Sequence, residues 1–125
     1  MNNKIWLAAI SSLILSNVSA QASEYCGGKS DTVSLKQCAT QDYKLEEDRI
    51  NLVYKELQSV LNRENKQLLK TAQLAWINFR IKDCDFQTGT IGEPMNMSCH
   101  TTYTEDRREL LEGRLEFERE YGSSD

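Results

Sequence analysis

The sequence predicts an all-α domain: an antiparallel helical hairpin plus a third helix, stapled by two disulfides. Apolar residues recur at helical spacing through most of the chain, and no segment shows the alternation of a half-buried strand. The 125 residues contain one proline and six glycines, so long irregular regions are not expected. The length allows one domain, and the four cysteines suggest covalent staples.

The first helix is predicted to start at a capping box, Ser34 to Gln37, in which the two side chains satisfy exposed backbone N–H groups. It extends to about Asn62, because the segment lacks both proline and glycine. Its apolar stripe consists of Ile50, Val53, Tyr54, Leu57, Val60 and Leu61.

The second helix is predicted from about Glu64 to Cys84. Its periodicity is the clearest in the chain and comes from Leu68, Leu69, Ala72, Ala75, Trp76 and Phe79. The joint near residues 63–65 is too short for anything except a hairpin or a small kink. We favour the hairpin, since the apolar faces of the two helices then cover each other.

The segment from Thr88 to Ser98 is predicted to be a loop because it contains Gly89, Gly92 and Pro94. The third helix follows from about Thr102 to Tyr121. Its apolar stripe is poorer and its charge density is higher, so we expect it to pack on one side only.

Residues 1–22 are predicted to be a secretory signal peptide, and residues 23–125 the mature domain. Lys4 supplies the positive start, the stretch 5–15 is apolar, and cleavage is expected after Ala20 or Ala22. The alternative is an uncleaved anchor, although the apolar run is short for a bilayer core of about 30 Å. We therefore expect a periplasmic or secreted protein without stable membrane insertion.

The four cysteines, Cys26, Cys38, Cys84 and Cys99, indicate structural disulfides in a small exported protein. A metal or redox site is not expected, because no C-x-x-C pair occurs and His100 is the only histidine. Sequential pairing, Cys26–Cys38 and Cys84–Cys99, forms most easily, while the crossed pairings remain open. The hairpin would gather all four at one end of the molecule. No cofactor is predicted.

The charge pattern argues against a nucleic-acid partner. The chain has a net charge of −4, and loss of Lys4 with the signal peptide leaves −5. Residues 105–125 carry eight acids and four arginines, a net charge of −4. This field would speed encounter with a cationic partner, although a simple solvated helix face explains it equally well.

Catalysis is not expected, so no catalytic residue is assigned. His100 beside Cys99 is the only pair resembling a base and a nucleophile, and Cys99 is expected to be oxidised. The acidic run Glu46-Glu47-Asp48 is interpreted as a solvated turn of helix.

One stripe of the second helix carries Gln73, Trp76, Arg80 and Cys84. An arginine on the core side of a helix is costly unless it is paired. We expect Arg80 to pair with an acid such as Asp48 or Glu105, and Trp76 to lie in the core; a ligand-facing role is the alternative.

The string from Ala72 to Arg80, followed by Asp83-Cys84, resembles the lysozyme inhibitor LprI-like family of exported bacterial domains. The resemblance spans almost all of residues 25–117. It implies a small helical domain with disulfides, whose motif positions here are Gln73, Trp76, Arg80 and the four cysteines. Some relatives are lipid-anchored, whereas this chain has no lipidation cysteine.

The resemblance implies that the protein binds a cell-wall hydrolase, such as a cationic lysozyme, and blocks it. The predicted loop Asp85–Ser98 is the candidate binding element, because a disulfide could fix both of its ends. Its candidate contact residues are Asp85, Thr88, Thr90, Glu93 and Asn96. The alternative is an envelope protein-interaction module or an immunity protein that does not inhibit lysozyme.

Overall fold

The computed structural model describes residues 31–89 and 92–122, which form three helices. These are α1 (Thr32–Val60), α2 (Arg63–Thr88) and α3 (Glu93–Tyr121). The predicted all-α class is confirmed for this part of the chain. The predicted signal peptide lies outside the described residues and stays a prediction.

Side-chain caps set the starts of the first two helices. The carboxylate of Asp31 accepts a hydrogen bond from the backbone N–H of Ser34 at 2.9 Å, so α1 begins earlier than the predicted capping box. The Asn62 side chain accepts from the N–H of Asn65 at 2.9 Å and caps α2. In both cases a short polar side chain satisfies an N–H that has no partner within the helix.

The predicted loop from Thr88 to Ser98 is wrong. α2 continues to Thr88 and α3 begins at Glu93, which leaves only four connecting residues. Gly89 and Gly92 adopt φ angles of +30° and +93°, a region that side chains disfavour, and thereby turn the chain. Pro94 lies in the first turn of α3, where its missing N–H is not needed, so it starts this helix rather than breaking it.

α1 and α2 run antiparallel, as the predicted hairpin requires. Near the turn, Gln58 Nε2 donates to the carbonyl oxygen of Lys66 at 3.2 Å. Further from the turn, Glu47 at the middle of α1 pairs with Arg80 in the second half of α2. Only Leu61 and Asn62 separate the two helices.

α3 lies parallel to α1 and makes its most extensive contact with that helix. Arg108 pairs with Glu46 at 2.9 Å, and Arg119 pairs with Glu56 at 2.8 Å. Both pairs join residues about 62 positions apart in the sequence, which is the signature of parallel helices. α3 therefore completes an up-down-up arrangement.

The apolar core lies mainly between α1 and α3. Its buried members are Ile50, Leu57, Leu61, Leu111 and Leu115. α2 adds the partly buried Leu69 and Trp76. The expectation that the apolar faces of α1 and α2 cover each other is wrong, because the deepest leucines belong to α1 and α3. The expectation that α3 packs on one side only is confirmed: its buried residues share one face of the helix, namely His100, Thr104, Leu111 and Leu115.

One predicted disulfide is observed. Cys84 and Cys99 are bonded and join the end of α2 to the first turns of α3. Cys38 is buried near the start of α1, at this same end of the molecule. Its predicted partner, Cys26, lies outside the described residues, so the second pairing stays a prediction.

Residues 31–89 and 92–122 contain no helix that is both long enough and apolar enough to cross a lipid bilayer.

Candidate functional site

Arg80 lies at the centre of a polar network that joins all three helices. Its side chain is 5% exposed. Nη1 donates to Glu47 of α1 and to Thr104 Oγ1 of α3, the latter at 2.6 Å. Nη2 donates to the Tyr43 hydroxyl at 3.0 Å, and the guanidinium lies 4.8 Å from the centre of the Trp76 ring. The buried charge is therefore compensated by partners on two neighbouring helices.

The predicted acidic partners of Arg80 were wrong, because Glu47 takes the place expected for Asp48 or Glu105. The interpretation of residues 46–48 as a solvated turn was also wrong. Glu46 is 5% exposed and Glu47 is half-buried, since this face of α1 turns toward α2 and α3. Three consecutive residues span about 200° of a helix, and here the run reaches from the packed side at Glu46 to the solvent side at Asp48, which is exposed.

A second network links α1 to α3 through Glu46. One carboxylate oxygen accepts from Arg108 Nε at 2.9 Å, and the other accepts from Arg49. Burial alone would raise the pKa of Glu46, but the hydrogen bonds from Arg108 and Arg49 outweigh it, so the pKa lies below its ordinary value. Arg108 also donates twice to Glu112, at 2.9 Å each.

His100 is buried beside the Arg80 network and is not arranged as a catalytic base. Among residues 31–89 and 92–122, its Nδ1 has no hydrogen-bond partner, and its ring lies 5.6 Å from the Tyr43 ring. Burial, and then the charge of Arg80, lower the pKa of His100. The neighbouring Cys99 is oxidised in a disulfide, so it is not a free nucleophile.

Trp76 occupies a half-buried position between two arginines. Its ring centre lies 4.8 Å from the Arg80 guanidinium and 6.0 Å from that of Arg107. The indole also packs against the leucine core. The aromatic face thereby shields both cations from water on one side.

The other motif residues extend this contact along the seam between α2 and α3. Gln73 accepts a hydrogen bond from Arg107 Nε at 3.2 Å, and Cys84 is covalently bonded to Cys99. Together with Arg80, they place the motif stripe of α2 against α3. Gln73, Arg80 and Cys84 therefore all have bonding partners inside the protein.

The five candidate contact residues have different positions. Asp85 is exposed on α2, whereas Thr88 is buried and donates to a main-chain carbonyl of its own helix. Asn96 donates to Thr88 Oγ1 at 2.9 Å and to Asp85 Oδ1 at 3.3 Å, which joins the two helix ends. Thr90 and the side chain of Glu93 lie outside the described residues.

Exposed apolar side chains at the disulfide end were missed. Phe86 on α2 is 84% exposed and Met95 on α3 is 54% exposed. A groove of about 520 Å³ lies beside the disulfide, with Met95 and Tyr103 among its walls. The signal was available: Phe86 follows Phe79 by seven residues, which extends the apolar stripe of α2 beyond its predicted end.

The opposite end carries an acidic groove between the two parallel helices. Its volume is about 710 Å³, and four of its wall residues are carboxylates: Glu56, Glu112, Glu116 and Glu120. Arg119 is the one basic residue among those that line it. The groove therefore presents a negative surface.

The model of the family described as lysozyme inhibitor LprI matches residues 23–111. This match includes the complete Gln73, Trp76, Arg80 and Cys84 seam. The chain belongs to the lysozyme inhibitor LprI family. The resemblance inferred from the motif is thus confirmed, and the family is one of inhibitors rather than enzymes.

Searches of curated proteins and of solved structures returned no match. In this member of the LprI family, the motif residues connect α2 to α3. The disulfide end and the acidic groove are two solvent-facing surfaces to which a partner has access.

Proposed function

We propose that the protein is an exported inhibitor that binds a cationic lysozyme and blocks it reversibly. The observation that carries this proposal is its membership of the LprI family, whose matched region includes α1, α2 and most of α3. The family description supplies a protein target, and the described disulfide is of the kind that forms outside the reducing cytosol.

The charge distribution supports a cationic target. Glu56, Glu112, Glu116 and Glu120 line one groove, and α3 carries most of the net negative charge. Such a field raises the association rate with an oppositely charged enzyme and weakens as salt increases. We assign this groove a steering role.

The disulfide end supplies a suitable blocking element. Cys84–Cys99, the hydrogen bonds of Asn96 and the short connection brace the two helix ends against each other. A braced surface loses little conformational entropy on binding. Phe86 projects from this end as an exposed aromatic side chain, and buried aromatic anchors commonly dominate binding energy. We place the contact with lysozyme here, with Phe86 as the apolar contact and Asp85 as a polar contact on the same helix; Thr90 and Glu93 stay predicted contacts.

The direct test is a muramidase assay with oxidised protein purified after export by a bacterial host. We expect dose-dependent loss of lysis for at least one cationic lysozyme, and a complex in a binding measurement. If several lysozymes stay fully active at micromolar excess in low salt, the inhibitor proposal is wrong for these targets. An envelope protein-interaction module or an immunity protein then becomes the better account.

Two sets of variants separate steering from blocking. Glu116→Gln with Glu120→Gln should slow association and reduce its salt dependence. Asp48→Asn with Glu109→Gln removes equal charge from exposed residues outside the groove and should act less. Phe86→Ser should speed dissociation, whereas Phe117→Ser, another exposed phenylalanine at the far end of α3, should leave it unchanged. Equal effects within each matched pair would contradict the assigned roles.

A further inference from the structure

α2 presents a second apolar face that is more than half exposed to solvent. It consists of Leu68, Ala72, Ala75 and Phe79, which lie within about 60° of one another on the helix. Leu68 is 61% exposed and Phe79 is 52% exposed. The motif stripe with Arg80 points elsewhere, into the seam with α3, and none of these four residues belongs to the buried core. Phe79 meets the Tyr103 ring of α3 edge-on at 5.8 Å, and Leu68 and Ala72 line a groove toward α3. The rest of the face is open to solvent.

Two opposite charges flank the same face. Glu64 and Lys82 are 18 residues apart, which is five helical turns, so they lie on the same side of α2. Both are exposed, and neither has a salt-bridge partner among residues 31–89 and 92–122. Glu64 precedes Leu68 by one turn, and Lys82 follows Phe79 by about one turn.

The pattern is self-complementary when it is reversed. The midpoint between Glu64 and Lys82 falls at residue 73, and the pairs Leu68 with Phe79 and Ala72 with Ala75 centre between residues 73 and 74. When two α2 helices pair in antiparallel orientation about this midpoint, Leu68 of one copy therefore lies opposite Phe79 of the other. Ala72 lies opposite Ala75 in the same way, and Glu64 lies opposite Lys82. A two-fold interface requires this relation, and the small alanines at its centre allow close approach of the helices.

We propose that the protein forms a two-fold symmetric dimer through this face of α2, with a second copy of the chain as the occupant. Leu68 of each copy packs against Phe79 of the other, and Glu64 of each copy pairs with Lys82 of the other. Because the pairing is isologous, two apolar contacts and two ion pairs form at once. The interface is separate from the acidic groove, and the proposal does not depend on lysozyme inhibition.

The first experiment measures molar mass by light scattering across a concentration series of the exported, oxidised protein. We expect a concentration-dependent dimer that Leu68→Asp converts to monomer. Leu52→Asp is the matched control, since Leu52 on α1 is also 61% exposed. Circular dichroism should show unchanged helix content for both variants. A wild-type protein that is monomeric at every concentration, or a dimer that survives Leu68→Asp, would overturn the proposal.

Charge exchange tests the specific pairing. Glu64→Lys and Lys82→Glu should each weaken the dimer about tenfold or more, because two attractive pairs become repulsive. The double variant should regain wild-type dimerisation, and a mixture of the two single variants should form heterodimers, since opposite charges then meet again. Single variants that dimerise like wild type, or a mixture that does not associate better than its components, would contradict the assigned register.

Discussion

Arg80 on α2 and Glu47 on α1 are separated by 33 residues and form an ion pair at the centre of the three-helix arrangement. The same guanidinium donates to Thr104, so one side chain couples all three helices. The most informative motif residue of the sequence is thus a tertiary connector.

Replacing Arg80 should destabilise the fold strongly. Arg80→Ala leaves Glu47, Thr104 and Tyr43 without their common partner, and we expect a loss of about 2–4 kcal/mol in unfolding free energy. Arg80→Lys should recover little, because the planar fork that reaches several acceptors is absent. Denaturant titration measures the effect, with Arg114→Ala as an exposed ion-pair control. An Arg80→Ala loss no larger than the control would contradict this role.

The buried Glu46 should contribute to stability at neutral pH and lose that contribution in acid. The folded-state pKa of Glu46 is lowered from the reference value of 4.5, so the unfolded chain binds its proton first. The contribution is therefore present above about pH 4.5 and declines as the pH falls through the lower folded-state value. Denaturant unfolding of Glu46→Gln should give a lower free energy of unfolding than wild type at pH 7, and the two values should converge in acid. A constant gap at all pH values would argue against this linkage.

His100 should create a separate pH dependence at higher pH. Burial and Arg80 lower its folded-state pKa from the reference value of 6.5, so the unfolded state takes up the proton first. Stability should then decline as the pH falls below about 6.5, until the pH passes the folded-state value. In His100→Gln, the melting temperature should depend less on pH between pH 7 and pH 5 than in wild type. In Glu46→Gln, the wild-type pH dependence over this range should remain. An unchanged slope in His100→Gln would show that other groups cause it.

The cysteines should all be oxidised in the exported protein. Non-reducing peptide mapping should recover the observed Cys84–Cys99 bond together with a Cys26–Cys38 bond, and thiol titration should find no free thiol. The sequential pairs close the shortest loops, which favours their formation. A peptide joining Cys38 to Cys84 would contradict both the structure and the predicted pairing.

The sequence predicts the helices more successfully than their ends. Apolar repeats such as Leu57 with Leu61 indicate a helix from the spacing of nearby residues alone. This spacing can be recognised without knowing which other segments the helix contacts. Pro94 was misread because a proline breaks a helix interior but starts a first turn equally well. The structure distinguishes the two cases, because Gly92 has a positive φ angle and caps the helix, so that Pro94 lies in its first turn.

The sequence by itself determined the all-α class, the spacing of the cysteines, and the motif stripe that indicates the LprI family. The tertiary structure decided which side of each helix is buried. Glu46 looked like a solvent-facing acid and is buried, whereas Leu68 looked like a core residue and is exposed. Periodicity identifies a stripe of like residues along one helix, but the partner that covers it depends on contacts between distant segments, such as Arg80 with Glu47.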